Sequence, residues 1–330
     1  MFPEEYVRLK EIIAPIKEDI KAFEQEFKAH LKSDIFLVDK VISYLVAHRG
    51  KRLRPILVLL SSRLNGHIPD KRRLHAAAII ELLHTATLVH DDVVDDSYQR
   101  RGFPSINAIW KNKVSVLTGD YLFSKSLLSM LKMHDFKVFD VISHTAERMS
   151  QGELLQMERS RDYKMEESVY FRLIGDKTAS LISAACQLGV ISADAGQQEI
   201  EMMAKFGEDV GLAFQIRDDL LDLLGTEKTV GKPIGNDLRE NKITLPLLFA
   251  LRNAEKKDTQ KVIKLMKKGA QANDIRFIIA FIQANGGVDY AKDKATSLTK
   301  GATALLDHYP DSEYKSVLIK LVDFITSREH

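Results

Sequence analysis

Residues 105–232 contain no proline, with Pro104 and Pro233 at either end of the stretch. Proline breaks a helix interior because it lacks an N–H and its ring clashes with the preceding turn. Nothing of that kind limits helix length here. Near the start of the chain, Ile13, Ile16, Ile20, Phe23 and Phe27 recur at steps of three and four, which places them on one stripe of a helix. No run of alternating β-branched residues bounded by turn signals occurs, the pattern a strand needs. Gly119, Gly152, Gly175, Gly189 and Gly225 punctuate the proline-free stretch and are expected as helix ends or as points of close helix approach. The Lys-rich stretch Glu255–Lys268 reads as a solvated helix face. With no fixed repeat and no low-complexity linker, the expectation is a single all-α domain over residues 1–330.

Composition excludes several classes. Apolar residues make up 45% and charged residues 28%, the mix of a chain with a sizeable core. Lys and Arg number 48 against 46 Asp and Glu, too close to balance to argue for nucleic acid or a membrane surface as partner. Cys186 is the single cysteine, which excludes an internal disulfide and a Cys-rich zinc site. The longest uncharged run, Thr178–Ala193, is sixteen residues with several polar ones, short of a membrane span. Met1-Phe2-Pro3-Glu4-Glu5 places acid where a secretory leader carries base. A cytoplasmic protein without stable membrane insertion is expected.

The strongest chemical signal is His90-Asp91-Asp92-Val93-Val94-Asp95-Asp96. On a helix, Asp91 and Asp95 share a face, as do Asp92 and Asp96. Carboxylates this dense repel one another and need a cation. Asp218-Asp219-Leu220-Leu221-Asp222 repeats the Asp-Asp-x-x-Asp spacing. Both clusters follow apolar helical sequence, 79–89 and 210–216, so both are expected at the inner rim of a bundle. All-oxygen ligands suit hard Mg²⁺, which keeps several waters and shares its other positions with substrate phosphates. A repeated metal-ligand pattern is unlike an ordinary acidic helix end.

Basic groups answer the acidic ones. Gly50-Lys51-Arg52-Leu53-Arg54-Pro55 precedes a proline-started helix, and Arg100-Arg101-Gly102 follows the first aspartate cluster by about a turn. Arginine grips phosphate oxygens through a planar fork, and lysine acts as a point charge. The turn-rich stretch Thr229–Leu238, with Lys232 inside it and Lys242 shortly after, is expected as a loop able to close over phosphates. Two acidic and two basic clusters together imply two polyanionic groups held near each other.

With these motifs in hand, the chain resembles the trans-isoprenyl diphosphate synthases, and in particular those making long all-trans chains. The resemblance is carried by residues 84–95, 50–55 and 214–222 and runs from about Arg49 to Pro246, with Gly286-Gly287 before a helix also similar. It implies an all-α isoprenoid-synthase bundle around a deep central cavity, and a homodimer. It also implies Mg²⁺, for which Mn²⁺ can substitute, bound through Asp91, Asp92, Asp95, Asp218, Asp219 and Asp222. By position, Lys51, Arg54, His84 and Arg101 would bind isopentenyl diphosphate. Arg100, Lys177, Thr178, Gln215, Lys232 and Lys242 would contact the allylic diphosphate, farnesyl or geranylgeranyl. Asp91, Asp95, Asp218 and Lys177 would carry the catalysis.

Rival readings are weaker. A class I terpene cyclase shares the first aspartate motif but carries a different second one and needs no isopentenyl site. A non-catalytic partner subunit would have lost aspartates or basic groups, and none is lost here. A di-iron bundle would use Glu81-x-x-His84 but needs a second such motif, and the sequence has none. Chain length is read at positions four and five before Asp91. Thr87 and Ala86 are small, where short-chain members resemble a floor of bulky side chains, so the cavity is expected to continue past them to Leu83. A shorter-chain synthase is the alternative.

Overall fold

The computed structural model describes residues 3–66, 70–225 and 234–326. Helices dominate, in the order α1 (Pro3–Ile12), α2 (Lys17–Leu31), α3 (Phe36–Ala47), α4 (Leu53–Ser61), α5 (Asp70–Val94), α6 (Ile106–Met133), α7 (Phe136–Arg159), α8 (Glu167–Ile174), α9 (Ser180–Ser192) and α10 (Gln197–Leu224). After these come α11 (Asn236–Arg239), α12 (Leu245–Asn253), α13 (Lys256–Lys267), α14 (Ala272–Ala284), α15 (Gly287–Leu305) and α16 (Glu313–Thr326). The expected all-α class is what the chain adopts.

By backbone contacts the chain forms two compact units. The first comprises Met1–Ala146, Leu181–Gly207 and Leu306–Leu321, the second Glu147–Ser180, Glu208–Leu305 and Val322–His330. In the first, α4 is buried along almost its whole length, Pro55 to Ser61. It packs with α5, whose residues 76–80 are fully enclosed. Burying a large aliphatic or aromatic side chain contributes about 1.5–3 kcal/mol, so Phe23, Phe27, Ile56, Leu57, Leu59, Ile79 and Ile80 form the main anchor of this unit. The second unit is built around Tyr170, Ile174, Ile216, Leu245, Leu248, Ile278, Ile282 and Ala291. The Lys-rich helix α13 buries Val262 and Met266 and leaves its lysines outward.

Three local features differ from the expectation. The N-terminal stripe is not one helix: Pro15 falls inside a 3₁₀ turn, Ala14–Ile16, that separates α1 from α2. Its missing N–H makes that break unavoidable, and of the stripe Ile16, Phe23 and Phe27 become buried. Second, Gln99–Arg100 (β1) and Phe103–Pro104 (β2) pair as a tiny antiparallel hairpin. Its two central residues, Arg101 and Gly102, have φ of 55° and 79°, the type I′ turn that matches strand twist. Third, α8 and α9 are joined by a π-helical turn at Gly175–Ala179. The glycines act as close-approach points more than as ends. A Cβ on Gly119 would fall 2.1 Å from the His90 ring, and one on Gly189 would fall 2.6 Å from the Val58 carbonyl oxygen.

Candidate active site

In the first unit the aspartate motif ends α5, and the basic motifs flank it from the start of α4 and from the β1–β2 hairpin. α5 ends at Val94, and Asp96 then takes a left-handed φ of 46°. The Ser97 N–H donates to the Asp92 carbonyl and the Asp96 N–H to the Val93 carbonyl. This is a Schellman cap, which terminates the helix and satisfies its last carbonyls. The cap leaves Asp95 exposed just beyond α5 and Asp91 half-buried one turn earlier. Asp92 has a different fate. It is 3% exposed and accepts a 2.7 Å hydrogen bond from Arg100 Nε, and Asn107 Nδ2 donates to its main-chain carbonyl. Burial raises its carboxyl above the ordinary value against the pull of Arg100. Of the first motif, Asp91 and Asp95 are thus the more accessible carboxylates, while Asp92 fixes the hairpin to the helix.

Two turns back along α5 lies His84. Arg54 Nη1 is 2.9 Å from His84 Nε2. A Cβ on Gly50 would fall 2.6 Å from the Arg101 guanidinium carbon, so that side chain lies flat against the Gly50 backbone. Burial pulls the Arg54 guanidinium down to about 10, with Glu81 opposing and Arg101 adding to the fall. His84 is driven well below its usual value, first by burial and then by Arg54, Arg101, Arg100 and Arg52. A neutral imidazole among guanidinium groups is a site short of negative charge, the situation a diphosphate relieves. Lys51 lies half-buried in the loop before α4.

Arg100 and Arg101 line one cavity with Arg49, Arg52, Tyr44, His48 and Phe103, and of these sequence reasoning had assigned only Arg100 and Arg101. Arg52 is the left-handed residue before α4, ion-pairs Glu81 and covers the Phe27 ring at 4.7 Å. That pairing also commits Glu81, the residue a di-iron reading would have needed. The density of basic residues over 49–54 was a signal for Arg49 and Arg52. Nothing local marked Gly50 as the seat of Arg101.

The second unit holds the other motif. On α10, Asp218 is exposed and Asp219 is buried. Asp219 accepts 2.7 Å from the Tyr170 hydroxyl and 2.9 Å from Gln215 Nε2, while the Gln215 carbonyl oxygen accepts from the Thr178 hydroxyl. Burial chiefly, then Asp237, pushes the Asp219 carboxyl up to about 8, against the bonds from Gln215 and Tyr170. Asp222 accepts from the main-chain N–H groups of Asn236 and Asp237 at 3.1 Å each, capping α11. The π turn carries Lys177, whose ammonium lies 2.7 Å from Glu153 and donates to Gln156. Such turns concentrate at functional sites, and here one seats Lys177 and Thr178 together. Lys242 pairs with Glu240 at 2.7 Å. Lys232 lies outside the described residues.

In the first unit Asp91 and Asp95 offer carboxylate oxygens, and in the second unit Asp218 does so; oxygen is the donor type that hard Mg²⁺ takes.

Residues 36–282 match the polyprenyl synthetase family. The chain belongs to that family. Polyprenyl synthetases are prenyltransferases, so this chain is an enzyme of that class. Among its relatives, heptaprenyl diphosphate synthase component 2 of Geobacillus stearothermophilus is 34% identical over 98% of this chain and 100% of its own. Octaprenyl diphosphate synthase of Escherichia coli is 32% identical over the same shares, 98% and 100%. A Caulobacter crescentus polyprenyl synthase, crystallised with calcium and isoprenyl diphosphate, superposes with a TM-score of 0.90 at 33% identity, covering 97% of this chain and 98% of that one. Asp92 ties the hairpin to the end of α5, and Asp219 ties α10 to α8 through Tyr170.

Proposed function

We propose that this polyprenyl synthetase condenses isopentenyl diphosphate head-to-tail with an allylic diphosphate, farnesyl or geranylgeranyl, and yields a long all-trans-polyprenyl diphosphate. The observation that carries the reading is the spacing along α5. Seven residues separate His84 from Asp91, two turns or about 10 Å, so an anion pocket and a cation-binding pair occupy one helix side a substrate length apart. Two diphosphates, one held by bare cationic groups and one through metal ions, account for both. A terpene cyclase has no second diphosphate to place against Arg54, His84 and Arg101.

In this mechanism Mg²⁺, when bound, neutralises the allylic diphosphate so that its C–O bond can ionise. Asp91, Asp95 and Asp218 would hold the ions, and Lys177, Thr178, Gln215, Lys232, Lys242 and Arg100 are assigned to the allylic diphosphate. Arg54, His84, Arg101 and Lys51 grip the isopentenyl diphosphate, keeping that diphosphate in place while its double bond attacks the cation. A new C–C bond forms, and the proton lost from the adjacent carbon passes to the departed diphosphate. No protein nucleophile takes part. The enclosed apolar flank of α5, Leu83, Ala86 and Val89, excludes the water that would quench the cation.

Chain length follows from the same flank. Ala86 is small, and the Thr87 hydroxyl turns back to the His84 carbonyl at 2.9 Å, so neither position four nor five before Asp91 carries a bulky group to form a floor. A single catalytic domain is supported by the family match, which spans both compact units. Homodimerisation is supported by an exposed apolar stripe on α6, Leu117, Leu128 and Leu131, continued by Phe136. Among the described residues no helix is long and apolar enough to cross a membrane. The long-chain product is assigned to quinone side chains, made in the cytoplasm. Incubating the chain with isopentenyl diphosphate, farnesyl diphosphate and Mg²⁺ and sizing the product tests the reading. Products beyond twenty carbons are expected. Absence of isopentenyl incorporation refutes the synthase reading, and a product no longer than geranylgeranyl diphosphate refutes the long-chain reading.

A further inference from the structure

Away from the aspartate motifs, α2 and α5 bring two imidazoles and a carboxylate together. Glu26 and His30 stand one turn apart on α2, and His75 comes from the second turn of α5. Glu26 Oε1 lies 3.1 Å from His30 Nε2 and 2.8 Å from His75 Nε2. The three donor atoms all fall within 4.8 Å of one another. The two rings meet edge to face with centroids 5.7 Å apart. Ligands of a tetrahedral zinc ion at about 2.0–2.1 Å stand roughly 3.3 Å from each other, so an ion would widen the two Glu26–histidine distances by only a few tenths of an ångström.

A second, independent observation concerns His30. Its side chain is only 10% exposed, and its Nδ1 is engaged at 2.9 Å by the Ser129 hydroxyl of α6. Its Nε2 is buried, and its 3.1 Å contact with Glu26 Oε1 falls outside good hydrogen-bond geometry. A buried polar atom so poorly satisfied is costly and calls for an explanation. Fixing one ring nitrogen through a neighbour while the other points into a cluster is how proteins orient metal-binding histidines.

We propose that Glu26, His30 and His75 form a binding site for a divalent transition ion, Zn²⁺ being the ion that two imidazoles and one carboxylate suit best. The bound ion clips α2 to α5. Burial, helped by His75 and Lys132 and opposed by Glu26, keeps the His30 imidazole below its ordinary value, so the deprotonated form that binds metal prevails near neutrality. The site is independent of the synthase reading, since none of its residues belongs to the diphosphate machinery.

The test uses the full chain purified without a histidine tag, stripped with chelator and kept in millimolar Mg²⁺ to fill the aspartate clusters. Zn²⁺ is then titrated in competition with a chromophoric chelator. One Zn²⁺ per chain is expected. His75→Ala and Glu26→Gln should each weaken it by at least about tenfold, and Ser129→Ala by about tenfold through lost orientation of His30. Asp91→Ala/Asp218→Ala should leave it unchanged. Zn²⁺ should also raise the Tm of the wild-type chain and not that of His75→Ala, whose half-exposed side chain can be removed without opening the core. No saturable Zn²⁺ binding overturns the proposal. So does binding that survives both His75→Ala and Glu26→Gln, or binding that disappears with the two aspartates.

Discussion

Gly50 touches no proposed substrate, yet replacing it should weaken one substrate selectively. In Gly50→Ala the new methyl would lie 2.6 Å from Cζ and Nη2 of Arg101, about 1 Å inside ordinary contact. Gly50 has an ordinary negative φ, as it is not among the positive-φ glycines, so alanine brings no backbone strain. What gives way is the far end of Arg101, a flexible side chain, and the fold should lose little. A charge-assisted hydrogen bond contributes about 1.5–3 kcal/mol, and each 1.36 kcal/mol is a factor of ten. Displacing the guanidinium by about 1 Å should therefore raise the KM for isopentenyl diphosphate by roughly tenfold to a hundredfold. The KM for farnesyl diphosphate should move by less than about threefold. Steady-state rates with each substrate varied at saturating levels of the other measure both, and a thermal melt checks the fold. In an Arg101→Ala background the Gly50→Ala effect should vanish, because the two act through one group. Equal weakening of both substrates, or a Gly50→Ala effect that persists in Arg101→Ala, would show that this guanidinium does not hold the isopentenyl diphosphate.

Other outcomes are expected. Turnover should require Mg²⁺ or Mn²⁺ and fall by at least about 10²–10³ in Asp91→Ala and in Asp218→Ala; near wild-type rates at saturating Mg²⁺ in either would undo the metal assignment. Ala86→Phe or Thr87→Tyr should shorten the main product on thin-layer chromatography while sparing the first condensation, and an unchanged product distribution in both would remove the open-floor reading. Gly207→Ala should destabilise by about 1–3 kcal/mol, since its Cβ would fall 2.5 Å from the Ser183 backbone; a Tm within a degree of wild type would contradict that packing. His84 and His30 are both held below the ordinary histidine value, so the unfolded chain binds more protons than the folded one once pH falls through about 6.5. Stability of the substrate-free chain should thus drop as pH falls from about 7 to 5, and His84→Gln should flatten that slope in melts across the range.

The helical class and the two aspartate clusters were legible in the sequence because both are local. Apolar residues at steps of three and four, a long stretch without proline, and carboxylates four apart need only the 3.6-residue period to be interpreted. Pro15 was just as legible a helix break, and it does divide the N-terminal stripe into α1 and α2. Which aspartates would be buried was not legible in the local pattern. Asp91 and Asp92 are chemically alike and adjacent, and what separates them is Arg100 on a hairpin whose type I′ turn forces a left-handed arginine. Asp218 and Asp219 differ for the same kind of reason: Tyr170, 49 residues away, reaches one and not the other. Asp222 is spoken for by main-chain groups of α11. The seat of Arg101 on Gly50 and the meeting of Glu26 with His75 likewise join residues about fifty apart in the chain. Which way a polar side chain turns depends on partners that only the packing of distant helices supplies, because a buried carboxylate or imidazole must find its hydrogen bonds wherever the fold has brought a donor.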